Sequence, residues 1–132
     1  MFQIDSFSRV PVYEQLINQV EDFVLKDILS ADAQIPSVRN LSAALAINPN
    51  TIQKAYSELD RAGIIYSVPG KGCFITRDAK SILSEKKKEG LSSLRTLLSE
   101  LKLAGVTRNI ILDTVDTIYT ENKGKKEEMN ND

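Results

Sequence analysis

Four side chains able to read a nucleotide base fall within five positions: Asn50, Thr51, Gln53 and Lys54. Asn and Gln carboxamides pair with adenine, a Lys ammonium meets guanine, and Thr can touch the thymine methyl. A solvated helix surface would use the same residue types. Upstream, Arg39 carries a guanidinium suited to phosphate or a guanine edge. A surface ion pair with Glu58 or Asp60 is its alternative use. Downstream, Pro69-Gly70-Lys71-Gly72 can present Lys71 and backbone N–H groups to phosphate or to the minor groove. A plain tight turn would explain the glycines but does not require Lys71. A nucleotide loop is excluded, because the spacing G-x-x-x-x-G-K-[ST] is missing and no helix follows.

These side chains need elements that aim them. Val10 to Leu29 reads as an amphipathic helix with Pro11 in its first turn. Val12, Tyr13, Leu16, Ile17, Val20, Phe23, Val24 and Ile28 form its apolar sector. Asp27 intrudes on that sector at the end. Residues 30–36 read as a connector. Ser37 is a natural N-cap for a short helix from Val38 to Ala46. Asn48 caps the next helix, Pro49 fills its first position, and Gly63 suits its left-handed stop. Ile52, Ala55, Tyr56 and Leu59 make its buried stripe, with Asn50, Lys54, Ser57 and Arg61 opposite. Ile64–Val68 and Cys73–Arg77 read as two strands joined by the glycine turn. Such a helix pair, followed by a hairpin, can place its second helix in a major groove while the first rests on the backbone.

Composition bounds the alternatives. The chain has 132 residues, 42% of them hydrophobic, so a packed core is expected. Its 17 basic and 18 acidic side chains leave a net charge of −1. That counts against a uniformly basic surface, so any nucleic-acid affinity must come from cations converging on one face. Histidine is absent, which removes Ser-His and Cys-His dyads and His-based metal clusters. No enzyme activity, cofactor or metal is expected. The single cysteine, Cys73, fits a reducing cytosol. Its neighbourhood carries no sign of an activated thiol, and it reads as a packing residue. Neither a secretory signal nor an apolar run long enough to span a membrane is visible.

Beyond Arg77 the pattern changes. Asp78 to Ala104 reads as helical, with Leu91, Leu94, Leu98 and Leu101 on a short heptad seam. Gly90 interrupts it at a cost of about 1 kcal/mol. Thr107 caps a last helix, Arg108 to Tyr119, with Ile111, Leu112, Val115 and Ile118 on one side. Two helices cannot bury both leucine faces alone, so a second copy is the expected cover. Lys86-Lys87-Lys88 reads as a solvated run more readily than as a contact to the DNA backbone. Residues 121–132 are charged and aperiodic and read as a frayed, disordered tail.

Three blocks in order, I-P-S-V-R-N-L-S, N-P-N-T-I-Q-K-A-Y-S-E-L and G-I-I-Y-S-V-P-G-K-G-C-F-I, closely resemble the DNA-binding domain of the GntR family of bacterial transcription regulators. The resemblance covers roughly Val10 to Ile75, and P-V-Y-E-Q-L is similar to that family's first helix. The short two-helix remainder resembles the YtrA-type subfamily of small dimeric regulators, often repressors of transporter operons. In one departure, many members carry arginine where this chain has Pro49, so any contact made there is not carried over. The resemblance implies that Ser37, Arg39, Asn50, Thr51, Gln53, Lys54, Gly70 and Lys71 lie at or near DNA.

The expected fold is mainly α with a small β-hairpin. Residues 1–77 form a winged helix-turn-helix, and residues 78–120 a two-helix C-terminal dimerisation segment using Leu91, Leu94, Leu98, Leu101, Ile111, Val115 and Ile118. The expected protein is a cytoplasmic regulator that acts as a repressor. Its partners are double-stranded operator DNA in an inverted repeat and a second copy of itself, with no membrane. No residue points to an effector ligand. A winged-helix module that binds protein and not DNA is the competing expectation, kept open by the acidic balance.

Overall fold

The computed structural model describes residues 1–130, with side chains through Glu121. Two compact units divide the chain at Lys88/Glu89. The first contains α1 (Val12–Leu25), β1 (Gln34–Ile35), α2 (Val38–Leu45), α3 (Pro49–Arg61), β2 (Ile65–Val68), β3 (Gly72–Ile75) and α4 (Ala79–Lys88). The second contains α5 (Gly90–Leu103) and α6 (Arg108–Asn130).

In the first unit the core lies where the apolar stripes of α1 and α3 meet. Leu16, Val20, Ile52, Leu59, Ile64 and Ile75 are fully buried there. Each such side chain contributes roughly 1.5–3 kcal/mol by leaving water. The N-terminal residues join this core. Phe2 is buried edge-on to Phe23 at 5.6 Å, and the Gln15 carboxamide bonds both Asp5 N and Asp5 O. The amphipathic pattern alone had not drawn this segment into the core.

Helix α1 is shorter than its pattern. Asp27 takes φ +60°, and Ile28 N and Leu29 N both donate to Phe23 O at 2.8 and 3.0 Å. A left-handed residue with such returning bonds closes a helix. The chain therefore turns, Leu29 enters the core, and Ile28 is exposed where the helical pattern had placed it inside.

The connector supplies a third strand that the hairpin reading lacked. The antiparallel sheet has order β1-β3-β2, with Gln34 opposite Phe74 and Ile35 opposite Cys73. β2 and β3 pair from Ile65–Ile75 to Val68–Gly72, leaving Pro69, Gly70 and Lys71 as the tip. Period-two alternation turns Ile35, Ile65 and Ile75 inward and leaves Tyr66 stacked on Phe74, 5.5 Å apart. Asp32 accepts from Tyr66 Oη at 2.9 Å and from Arg77 Nε at 3.3 Å. That bond to Asp32 raises the Tyr66 phenol above its ordinary pKa.

Helix α4 belongs to the first unit, so that unit extends to Lys88 where the sequence pattern had ended it at Arg77. Ala79 and Leu83 are buried in its core. Lys80 Nζ bonds Asp27 Oδ1 at 2.8 Å, and Lys86 Nζ lies 3.4 Å from the buried Glu21. Lys88 pairs with Glu85. Two of the three lysines in the expected solvated run therefore hold ion pairs.

The second unit buries little within the chain. No residue of α5 is fully buried. Leu91, Leu94, Val115 and Ile118 are exposed, and Leu98, Leu101 and Ile111 are half-buried. Gly105 ends α5 at φ +84°, and Thr107 Oγ1 accepts from Ile110 N to start α6. Helix α6 runs to Asn130, past the Tyr119 stop read from the pattern. Beyond Glu121 the side chains of the expected tail, and its last two residues altogether, lie outside the described residues.

Candidate nucleic-acid interface

Helix α3 begins with its cap fully engaged: Asn48 Oδ1 accepts from Asn50 N at 2.8 Å. At about 100° per residue, Asn50, Gln53, Lys54, Ser57 and Arg61 fall on one outward stripe. All five are exposed. Ile52, Ala55, Tyr56 and Leu59 are buried on the other side. Thr51 lies between the stripes and is half-buried. The first turn carries no acidic residue, so the positive end of the helix dipole is uncompensated.

Helix α2 is set against α3 by a sharp turn. Ala46 takes the left-handed conformation at φ +54°, and Ser42 Oγ donates to Ile47 O at 2.5 Å. At its start, Ser37 Oγ accepts from Asn40 N at 3.0 Å. Arg39 is exposed in the first turn. Tyr56 ties the two helices together, since its phenol donates to Pro36 O at 2.6 Å, one residue before the α2 cap. Burial, with a smaller contribution from Cys73, pushes that phenol well above the ordinary tyrosine range. It therefore stays protonated and keeps donating.

The wing tip is held by a strut absent from the sequence reading. Gln34 Nε2 donates to Lys71 O at 2.9 Å. Gly72 makes room for it: at φ +123°, a Cβ on Gly72 would sit 2.7 Å from Gln34 Nε2. Gly70 and Lys71 are exposed. An open groove of about 1090 Å³ runs between α2 and the wing, with Ser37 on one wall and Gly70 and Lys71 on the other. Cys73 also lines it, half-buried, its Sγ 3.4 Å from Ser67 Oγ.

The cations of this unit fall into two sets, paired and unpaired. Lys26, Arg77, Lys80, Lys86 and Lys88 each sit against a carboxylate. Among the described residues Arg9, Arg39, Lys54, Arg61, Lys71 and Lys87 have no carboxylate within salt-bridge distance, and Arg39, Lys54, Arg61 and Lys71 of these lie on α2, α3 and the wing. The alternative pairing of Arg39 with Glu58 or Asp60 is thus not formed. The net charge of −1 conceals a face whose cations are not neutralised. Gln53 Nε2 donates to Ser57 Oγ at 3.1 Å, leaving its carbonyl oxygen to accept from elsewhere. Lys54 lies over the Tyr13 ring, 3.8 Å from its centroid. By sequence Tyr13 belongs to the apolar sector of the first helix, and nothing in the spacing signals this contact.

Residues 12–75 match the family model described as bacterial regulatory proteins, gntR family. The chain is 39% identical over 127 residues to the HTH-type transcriptional repressor YtrA of Bacillus subtilis, covering 96% of this chain and 98% of that protein. A transcriptional regulator from Oenococcus oeni superposes with a TM-score of 0.71 at 38% identity, over 89% of this chain and 99% of that one. A GntR family transcriptional regulator from Listeria monocytogenes gives 0.67 at 29% identity, over 86% and 98%. An outward polar stripe on a capped second helix, a glycine-cradled wing and these likenesses lead to one conclusion: the chain belongs to the GntR family of bacterial regulatory proteins and is a DNA-binding transcription regulator.

Proposed function

We propose that the protein is a repressor that binds an inverted-repeat operator as a homodimer. The carrying observation is the outward stripe of α3, whose polar and basic side chains are exposed and whose cations lack carboxylate partners. In this reading Asn50, Gln53 and Lys54 meet base edges in a major groove. Thr51, Ser37 and Arg39 hold phosphate or assist at base edges. Gly70 and Lys71 bring the wing to the backbone or the minor groove. Repression is supported by the name of the Bacillus subtilis relative, which matches along nearly the whole chain. A transporter operon as the regulated unit rests on the resemblance to the YtrA-type subfamily.

The dimer reading rests on exposed apolar surface in α5 and α6. Leu91, Leu94, Val115 and Ile118 are exposed within the chain, with Leu98, Leu101 and Ile111 beside them in sequence. Burial against a second copy would remove that surface from water. A cytoplasmic location follows from the DNA partner. No described helix is long and apolar enough to cross a membrane.

A gel shift with the DNA upstream of the chain's own gene tests the reading. If Arg39, Arg61 and Lys71 each neutralise one phosphate per head, two heads release about six counterions. Log affinity then falls against log salt with a slope of about −5. Arg39→Ala and Lys54→Ala weaken binding while sedimentation shows an unchanged dimer. No shift at low salt, with the dimer intact, would leave the winged helix as a protein-binding module instead.

A further inference from the structure

Lysine is a costly choice for reading a base. Its flexible stem carries rotamer entropy that must be given up on binding. A carboxylate neighbour would hold the ammonium still, but would also offset the charge that DNA needs. Lys54 is arranged differently. Its Nζ lies 3.8 Å from the centroid of the Tyr13 ring, with no carboxylate within salt-bridge distance among the described residues. A ring face attracts a cation through its quadrupole and leaves the full positive charge in place. The ring is itself held: Tyr13 packs half-buried against the core and donates through its phenol to Glu14 Oε1 at 3.1 Å.

From this geometry we infer that Tyr13, on α1, is a positioning residue for DNA recognition. It pre-sets Lys54 on the exposed stripe of α3 so that the ammonium reaches the duplex with little freedom left to lose. The inference deepens the DNA-binding reading and rests on it. Preorganisation raises affinity by lowering the ordering cost of binding, not by adding a contact. Tyr13 thus acts through Lys54, and its aromatic face, rather than its hydroxyl, carries the effect.

The test is a double-mutant cycle on the full chain. The probe is a duplex recovered by wild-type protein from a random-sequence pool. Tyr13→Leu is expected to weaken binding roughly three-fold per head, about ten-fold for two heads. Tyr13→Phe keeps the ring and binds like wild type. In a Lys54→Met background Tyr13→Leu has no further effect. Tyr13→Leu leaves the salt slope unaltered, because no cation is removed. Ring-current-shifted Lys54 methylene resonances, read by NMR without DNA, are present in wild type and Tyr13→Phe and absent in Tyr13→Leu. A wild-type chain that recovers no duplex overturns the DNA reading and the inference together. A wild type that binds, with Tyr13→Leu equally weakening in the Lys54→Met background, overturns the inference alone. So do unshifted Lys54 resonances.

Discussion

Replacing Gly72 by alanine should damage the wing by two separable routes. The backbone sits at φ +123°, a region that costs a residue with a side chain on the order of 1–3 kcal/mol. The added methyl carbon would also fall 2.7 Å from Gln34 Nε2. The carboxamide must swing away and give up its 2.9 Å bond to Lys71 O, a loss of about 0.5–1.5 kcal/mol. Together these come to about 2–4 kcal/mol, a large part of the roughly 5–15 kcal/mol typical of a small protein. Urea denaturation measures the sum. Gly70→Ala is the control, since nothing lies within 4 Å of its Cβ and only its φ of +76° is strained. Gln34→Ala removes the obstacle, so Gly72→Ala in that background should cost about 1 kcal/mol less than alone. An unchanged urea midpoint for Gly72→Ala, or strict additivity with Gln34→Ala, would refute the account of a glycine kept to admit the strut.

Three further substitutions have expected outcomes. Tyr56→Phe removes the donor to Pro36 O and should cost about 1–2 kcal/mol. It should also change the alkaline profile. The native phenol pKa is raised by burial, so the stability it supports is complete below the ordinary phenol value near pH 10. It falls as pH rises further, by about 1.4 kcal/mol per unit until the native phenol ionises. Urea midpoints at about pH 9 and pH 11 should separate wild type from the Phe variant, whose profile lacks this component. Leu83→Ala should destabilise the first unit by about 2–5 kcal/mol, since Leu83 is fully buried. Leu94→Ala, on exposed surface of α5, should leave that transition in place and weaken self-association, as sedimentation would show.

The local grammar of the recognition segment is legible in the chain itself. Ser37 and Asn48 as caps, Pro49 in the first turn, Gly63 as the stop and the apolar spacing of α3 all depend on neighbours a few residues away. Such signals survive in a bare sequence, and they suffice to say that Asn50, Gln53, Lys54, Ser57 and Arg61 of α3 stay outside, while Thr51, expected beside them, is half-buried. The pairings made across distance were not legible. The strut from Gln34 to Lys71, the Tyr56 bond to Pro36, the third strand at Gln34–Ile35 and the seating of Leu83 each join residues far apart in the chain. Nothing periodic marks them. The same holds for charge. Seventeen cations against eighteen anions foretell a neutral surface. Only folding, by setting carboxylates against Lys26, Arg77, Lys80, Lys86 and Lys88 and away from Arg39, Lys54, Arg61 and Lys71, decides that the cations of α2, α3 and the wing keep their charge unpaired. Coulomb energy depends on separation in space, and separation in space is not written in residue order.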